Sequence, residues 1–113
     1  MSEQKMFREG EQRYLTRGIH NRLPVLYQIL LWNTIDNLRD SGQELDYIQV
    51  FKIATKENPN GKGRLLKITH SQEKPEYCRE YIVPVGRDVE EINGKIFVID
   101  DTDHATMMWA EEY

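Results

Sequence analysis

The residues of this chain whose types and spacing best suit chemistry lie near its C-terminus. Three aspartates and a histidine occur within five positions, as Asp100, Asp101, Asp103 and His104. Carboxylate oxygens and an imidazole nitrogen are ligands for Mg²⁺, Mn²⁺ or Zn²⁺, so this acidic turn is a candidate metal site of a small metal-dependent hydrolase. The structural alternative is that aspartates after a strand accept hydrogen bonds from nearby amides and cap the turn. The spacing matches neither an EF-hand loop nor a zinc-binding helix, which favours the structural alternative.

Two further histidines and the single cysteine are the other side chains with chemical potential. His20 and His70 can join a site at the acidic turn only if the fold brings them there, which the sequence does not determine. His70 follows Leu66 and Ile68 at alternate positions, so we expect a half-buried histidine with one hydrogen bond. Cys78 has no neighbouring motif that would make it a nucleophile, and we expect it to pack within a strand.

A helix is predicted from about residue 23 to residue 41. Pro24 suits a first helical turn, and Gly42 suits the position after the last one. Placing residues at 100° intervals gives a core stripe of Tyr27, Leu31, Thr34, Ile35 and Leu38. A second apolar stripe lies on the opposite side and consists of Val25, Ile29 and Trp32.

The second stripe is the strongest functional candidate in the sequence. A helix that already buries one face has no structural need for a tryptophan on the other, so Trp32 with Val25 and Ile29 predicts an association surface. The alternative is that the N-terminal strand or residues 107–109 fold over the stripe, since small domains often cover apolar surface with terminal segments.

The remaining segments predict strands. Residues 47–55, 64–70, 77–83 and 95–99 have a period of two, and residues 13–19 are rich enough in branched and aromatic residues for a short strand. Short connections favour antiparallel pairing. We therefore predict an α+β fold, in which one long amphipathic helix packs on a curled, mainly antiparallel sheet of four to five strands. Residues 13–113 are expected to form this single domain, and residues 1–12 to be disordered.

The composition narrows the class of protein. Hydrophobic residues make up 39% and charged residues 30% of the 113 residues, as in a single globular domain. No apolar run approaches the roughly 20 residues that span a bilayer, and the polar N-terminus does not resemble a secretory signal. A single cysteine excludes an internal disulfide and a zinc ribbon. These features predict a cytoplasmic protein.

The charge distribution argues against direct binding of nucleic acid. The formal net charge is −4, and residues 100–113 contain five carboxylates but no lysine or arginine. The longest basic cluster is Lys62, Arg64 and Lys67, whereas a protein that grips phosphates normally shows a basic stripe. A weaker possibility is that the acidic C-terminal region mimics a nucleic acid and occupies the basic groove of another protein.

Five segments of the chain resemble a known family. They are TRGI (16–19), LWNTIDNL (31–38), ELDYIQVFKI (44–53), ITHSQEKPEY (68–77) and KIFVIDDTDHATMMWAEEY (95–113). With these segments, residues 14–113 resemble an uncharacterised family of small proteins from Gram-positive bacteria, domain of unknown function 960 (DUF960). The resemblance implies a small α+β bacterial cytosolic protein and brings no known activity, cofactor or catalytic residue.

Our leading hypothesis from the sequence is a non-enzymatic protein–protein interaction or regulatory module. It would bind an unidentified protein partner, or form a homodimer, through Val25, Ile29 and Trp32. We assign no catalytic residue, and we expect no cofactor, no direct contact with nucleic acid and no membrane contact.

Overall fold

The computed structural model describes residues 6–61, 63–86 and 88–113. In chain order, the elements within these ranges are β1 (Gln12–Leu15), α1 (Arg17–Arg22), α2 (Val25–Asp40), β2 (Ile48–Glu57), β3 (Arg64–Gln72), β4 (Tyr77–Val85), β5 (Asn93–Asp100), β6 (His104–Trp109) and a 3₁₀ helix (Ala110–Glu112). None of the helices in these ranges is long and apolar enough to cross a membrane.

All of these strands belong to one sheet with the spatial order β1-β6-β5-β2-β3-β4. β2, β3 and β4 form an antiparallel meander. β5 pairs with the other side of β2, and β6 pairs with β5, both antiparallel. β1 lies at the edge and runs parallel to β6. The first and last strands of the chain are therefore neighbours.

The fold class predicted from the sequence is wrong. The described residues are mostly sheet, and they form a mixed sheet of six strands rather than a helix on four to five strands. The parallel pair of residues 12–15 with residues 104–107 joins the two ends of the chain, and local patterns carry no signal for such a contact. α2 is also not amphipathic along its length, because Val25, Leu26 and Ile29 are exposed apolar residues.

The predicted strand over residues 13–19 ends earlier than expected. β1 stops at Leu15 because Thr16 starts α1 as its N-cap, and the Thr16 hydroxyl oxygen accepts the Ile19 N–H at 3.2 Å. Such a cap satisfies an amide that has no partner within the helix. The Thr16 hydroxyl also donates to the Glu112 carboxylate at 2.7 Å, so the start of α1 is fastened to the C-terminal 3₁₀ helix.

The core lies between α2 and one face of the sheet. Alternate residues of each strand point to this face. The buried residues of α2 and of the strands include Tyr27, Leu31, Ile35, Phe51, Ile53, Leu66, Ile68, Ile96, Val98, Ala105, Met107 and Trp109. The opposite face, which we call the open face, carries the half-buried apolar residues Ile48, Val50, Phe97, Ile99 and Met108.

The sequence predicts disorder for residues 1–12, and residues 1–5 of this segment lie outside the described residues. Within the described part, Phe7 is fully buried in the core. Its N–H donates to the Asp100 carboxylate, and its carbonyl oxygen accepts a hydrogen bond from Arg39 at 2.8 Å. Phe7 is therefore held against both the end of β5 and the end of α2.

Candidate functional site

The N-terminal half of α2 exposes a group of apolar side chains to solvent. Val25, Leu26 and Ile29 are 65%, 72% and 50% exposed, and we call these three residues the helix patch. Tyr27 and Leu31 point into the core, so helical geometry places the helix patch on the outer side. Leu26 is the most exposed of the three and was not in the predicted stripe. The sequence signal that could have identified Leu26 is that apolar residues occur on nearly all sides of the N-terminal half of the predicted helix.

Trp32 has a different environment from Val25 and Ile29. It is half-buried and packs partly against the core. The guanidinium carbon of Arg13, on β1, lies 4.6 Å from the centroid of its ring. The Arg13 guanidinium also donates to Asp36 in a two-point ion pair, one bond of which is 3.1 Å long. The N-terminal strand therefore covers Trp32, while Val25 and Ile29 stay exposed.

Charged side chains lie at both ends of the helix patch but not within it. Residues 23–35 contain no charged residue. Beyond one end, Arg22 pairs with Glu111 at 3.3 Å. Beyond the other end, Asp36 pairs with Arg39 at 3.0 Å, and a side-chain hydrogen bond to Asp40 raises the pKa of Arg39. Each of these cations is engaged within the chain, so the helix patch is uncharged and bordered by neutralised pairs.

The side chains of Asp100 and Asp101 in the acidic turn accept hydrogen bonds from backbone N–H groups. The Asp100 side chain is buried and accepts the N–H groups of Phe7 and Thr102, the latter at 2.7 Å. Asp101 accepts the backbone N–H of His104 at 3.2 Å, and the imidazole Nε2 of His104 lies 3.1 Å from its other oxygen. These bonds close the connection between β5 and β6, which is the role that the structural alternative gave to the turn.

The turn does not gather its acidic groups around one point. Asp103 is exposed, and no group of three or more His, Cys, Asp or Glu side chains in the described residues is arranged to hold a metal ion. Glu111 and Glu112 follow the other end of β6. At the rise per residue of a strand, β6 places them about 20 Å from the acidic turn. Glu112 accepts the Thr16 hydroxyl, which lowers its pKa. The five C-terminal carboxylates thus form separate groups.

The histidines lie in three different places, and Cys78 is not packed. His70 points into the core from β3, whereas His104 lies on the open face, opposite Gln12. His20 is exposed on α1. The expectation that Cys78 packs within a strand is wrong, because the residue lies on edge strand β4 and is exposed.

Glu11 is the chemically unusual residue that the sequence analysis missed. Its side chain is 1% exposed, and neither carboxyl oxygen has a hydrogen-bond donor among the described residues. Burial and the neighbouring Asp100 carboxyl raise the pKa of Glu11 to about 7, while Arg8 and Arg13 act in the opposite direction. Nothing in the polar N-terminal sequence signals a buried carboxyl group, because its burial depends on the fold of residues 6–11 over the β5–β6 connection.

Comparison with known proteins supplies a family but no activity. A crystal structure described as a protein of unknown function from Enterococcus faecalis has a TM-score of 0.75 and 24% sequence identity, over 100% of this chain and 98% of the other. That likeness establishes the fold alone. A search of curated proteins found no match. A family model described as a Staphylococcal protein of unknown function (DUF960) matches residues 12–112. The chain therefore belongs to the DUF960 family.

Proposed function

We propose that this protein is a non-enzymatic protein–protein interaction module that acts through the helix patch, with a second copy of the chain as its partner. The observation that carries the proposal is the exposure of Val25, Leu26 and Ile29 on one side of α2. Neighbouring apolar side chains exposed in this way typically mark an association surface.

A second copy fits the helix patch because it offers an identical uncharged surface. In a two-fold symmetric contact the same residues meet from both sides. Residues 23–35 contain no charge, and the ionic groups at the ends of the patch, Arg22 and Asp36, already have partners within the chain. A strongly charged partner would therefore find no complementary group at the centre of this surface.

The area of the helix patch predicts a weak dimer. A stable interface buries about 800 Å² of each partner, and three exposed side chains supply only part of that. We expect a reversible monomer–dimer equilibrium that responds to protein concentration and hardly to salt, because salt screens charges and leaves apolar contacts largely unchanged.

Sedimentation velocity over a range of concentrations tests the proposal. Wild type should show the equilibrium, Ile29→Lys should remain monomeric, and Asn37→Lys, at an exposed position on the same helix, should dimerise as wild type does. Circular dichroism and urea unfolding should show that both variants fold. Trp32→Lys is the poorer test because Trp32 packs partly against the core. A wild type that is monomeric throughout, or an Ile29→Lys variant that still dimerises, would contradict the proposal.

A further inference from the structure

The open face of the sheet contains a shallow cavity on the side of the molecule opposite α2. Its volume is about 350 Å³, and it lies over β5, β2 and β3. Volumes of this size are at the lower end of those that hold small molecules. The open face is not part of the helix patch, so a ligand here would leave the surface of α2 free.

Two lysines face each other across the strands at one end of this cavity. Lys52 on β2 is directly opposite Lys95 on β5 in the strand register, and both residues line the cavity and are exposed. Like charges opposite each other destabilise a sheet pair. No carboxylate of the described residues lies within 4.0 Å of either ammonium group. Glu80 on β4 lies in the same cross-strand row as Lys52, and it pairs with Lys67 instead.

The middle of the cavity is apolar. Val50 and Phe97 are directly opposite each other in the register, one step along the same face from the lysines. The Phe97 ring is held from the side by the Tyr113 ring, with 5.7 Å between the centroids. The cavity thus presents a cationic end followed by an apolar floor.

The far end of the cavity carries the opposite charge. Ile48 lies four residues before Lys52, which is about 13 Å along a strand, and Glu73 lines the cavity at this end, two residues beyond Ser71. A second anionic group on a ligand would meet the Glu73 carboxylate there. The cavity therefore favours one negative charge at one end and an apolar chain along the rest.

We infer that the cavity on the open face binds a monocarboxylate with an apolar chain, such as a medium-chain fatty acid. The carboxylate lies between the ammonium groups of Lys52 and Lys95 and removes their mutual repulsion. The apolar chain lies along Phe97 and Val50 and extends toward Ile48.

The test is a titration of ¹⁵N-labelled protein with decanoate, followed by amide chemical shifts. The amides of Val50, Lys52, Lys95 and Phe97 should shift together and saturate. Acetate lacks the chain and loses the apolar contact, decanol lacks the charge and loses a charged hydrogen bond, and the second carboxylate of sebacate meets Glu73. Each should therefore bind at least about tenfold more weakly than decanoate.

Variants at the lysines decide whether the cationic end acts as inferred. The double variant Lys52→Gln, Lys95→Gln should bind decanoate at least about tenfold more weakly than wild type. Lys56→Gln is the matched control, because Lys56 is exposed on the same face of β2 and does not line the cavity. The inference is overturned if decanoate causes no saturable shift, if the shifts lie on α2, if decanol binds equally well, or if the double variant binds like wild type.

Discussion

The imidazole Nε2 of His70 lies 2.6 Å from the side-chain oxygen of Gln49, and both residues are fully buried. Because an amide oxygen only accepts hydrogen bonds, Nε2 carries the proton of a neutral ring. The ring is stacked on Phe51 with 4.4 Å between the centroids. Gln49 in turn donates to Gln72 at 2.8 Å. His70 thus belongs to a row of buried, hydrogen-bonded polar side chains, where water cannot solvate a protonated, charged imidazole ring.

The first prediction is that His70 destabilises the fold in acid. Burial lowers the pKa of His70 from 6.5 to about 4. Between these values the unfolded chain takes up a proton that the folded chain does not, so the contribution of neutral His70 is complete above pH 6.5 and is lost as the pH falls toward 4. At pH 5 the loss should be about 2 kcal/mol. Urea unfolding of wild type and His70→Gln at pH 7 and pH 5 measures it.

The matched control for this experiment is His20→Gln, because His20 is exposed on α1. Wild type and His20→Gln should lose stability together on acidification, and His70→Gln should lose about 2 kcal/mol less. If all three proteins lose the same free energy of unfolding between pH 7 and pH 5, His70 is not the group responsible.

The second prediction is that Glu11 destabilises the fold at high pH, whereas His70 destabilises it in acid. Its pKa is raised from 4.5 to about 7 by burial and by Asp100, so its contribution to stability is fully present below pH 4.5 and is lost as the pH rises through 7. Arg8 lies 3.9 Å from the carboxyl group and does not offset the effect of burial. Glu11→Gln should therefore be more stable than wild type at pH 8 and lose this advantage at pH 5.

Thermal unfolding of wild type, Glu11→Gln and Glu9→Gln at the two pH values checks the second prediction. Glu9 is exposed two residues away, so its variant should follow wild type at both. A Glu11→Gln variant less stable than wild type at pH 8 would show that the charged carboxylate contributes to the native state.

Local patterns predicted much of the secondary structure but little of the tertiary structure. The segments with a period of two correspond to β2, β3, β4 and β5, and the predicted helix corresponds to α2. Alternation reports which face of a strand is buried, and this information is local. The pairing of β1 with β6 is not local, because those strands are separated by almost the whole chain.

The candidate sites show the same limit. The second apolar stripe, on the side of the helix opposite the core stripe, indicated an exposed surface near Val25 and Ile29, since one helix face suffices for the core. The contact of Arg13 with Trp32 and the burial of Glu11 depend on where residues 6–15 lie relative to α2 and β5. The opposition of Lys52 and Lys95 follows from a strand register, and the separate strands do not determine that register.

The third prediction concerns Arg13, which contacts Trp32 and Asp36 with one planar group. A guanidinium can lie on an aromatic ring and bind a carboxylate with two N–H groups at once, whereas an ammonium group cannot do both. Arg13→Lys should therefore lower the free energy of unfolding by about 1 kcal/mol. Urea unfolding measures this change, with Arg17→Lys as the control at an exposed position of α1. Equal stability of both variants would mean that charge alone matters at Arg13.

The fourth prediction is that Gly94 cannot accept a side chain, because Trp109 occupies the space. A Cβ atom at position 94 would lie 2.8 Å from Cζ3 of the Trp109 ring. The ring has little freedom to move, since its Nε1–H donates to the Gly18 carbonyl at 3.0 Å and Arg22 lies over it at 4.2 Å. Forcing extra volume into a packed site costs about 1–3 kcal/mol.

Gly94→Ala should therefore lower the free energy of unfolding by that amount and alter the near-ultraviolet circular dichroism of the tryptophans. Lys56→Ala is the control, because Lys56 lies on the neighbouring strand β2, is exposed and points to the open face. Surface substitutions of this kind change stability by less than about 0.5 kcal/mol. If Gly94→Ala is no less stable than Lys56→Ala, the Trp109 ring can move away from β5, and the hydrogen bond to Gly18 and the contact with Arg22 do not fix it.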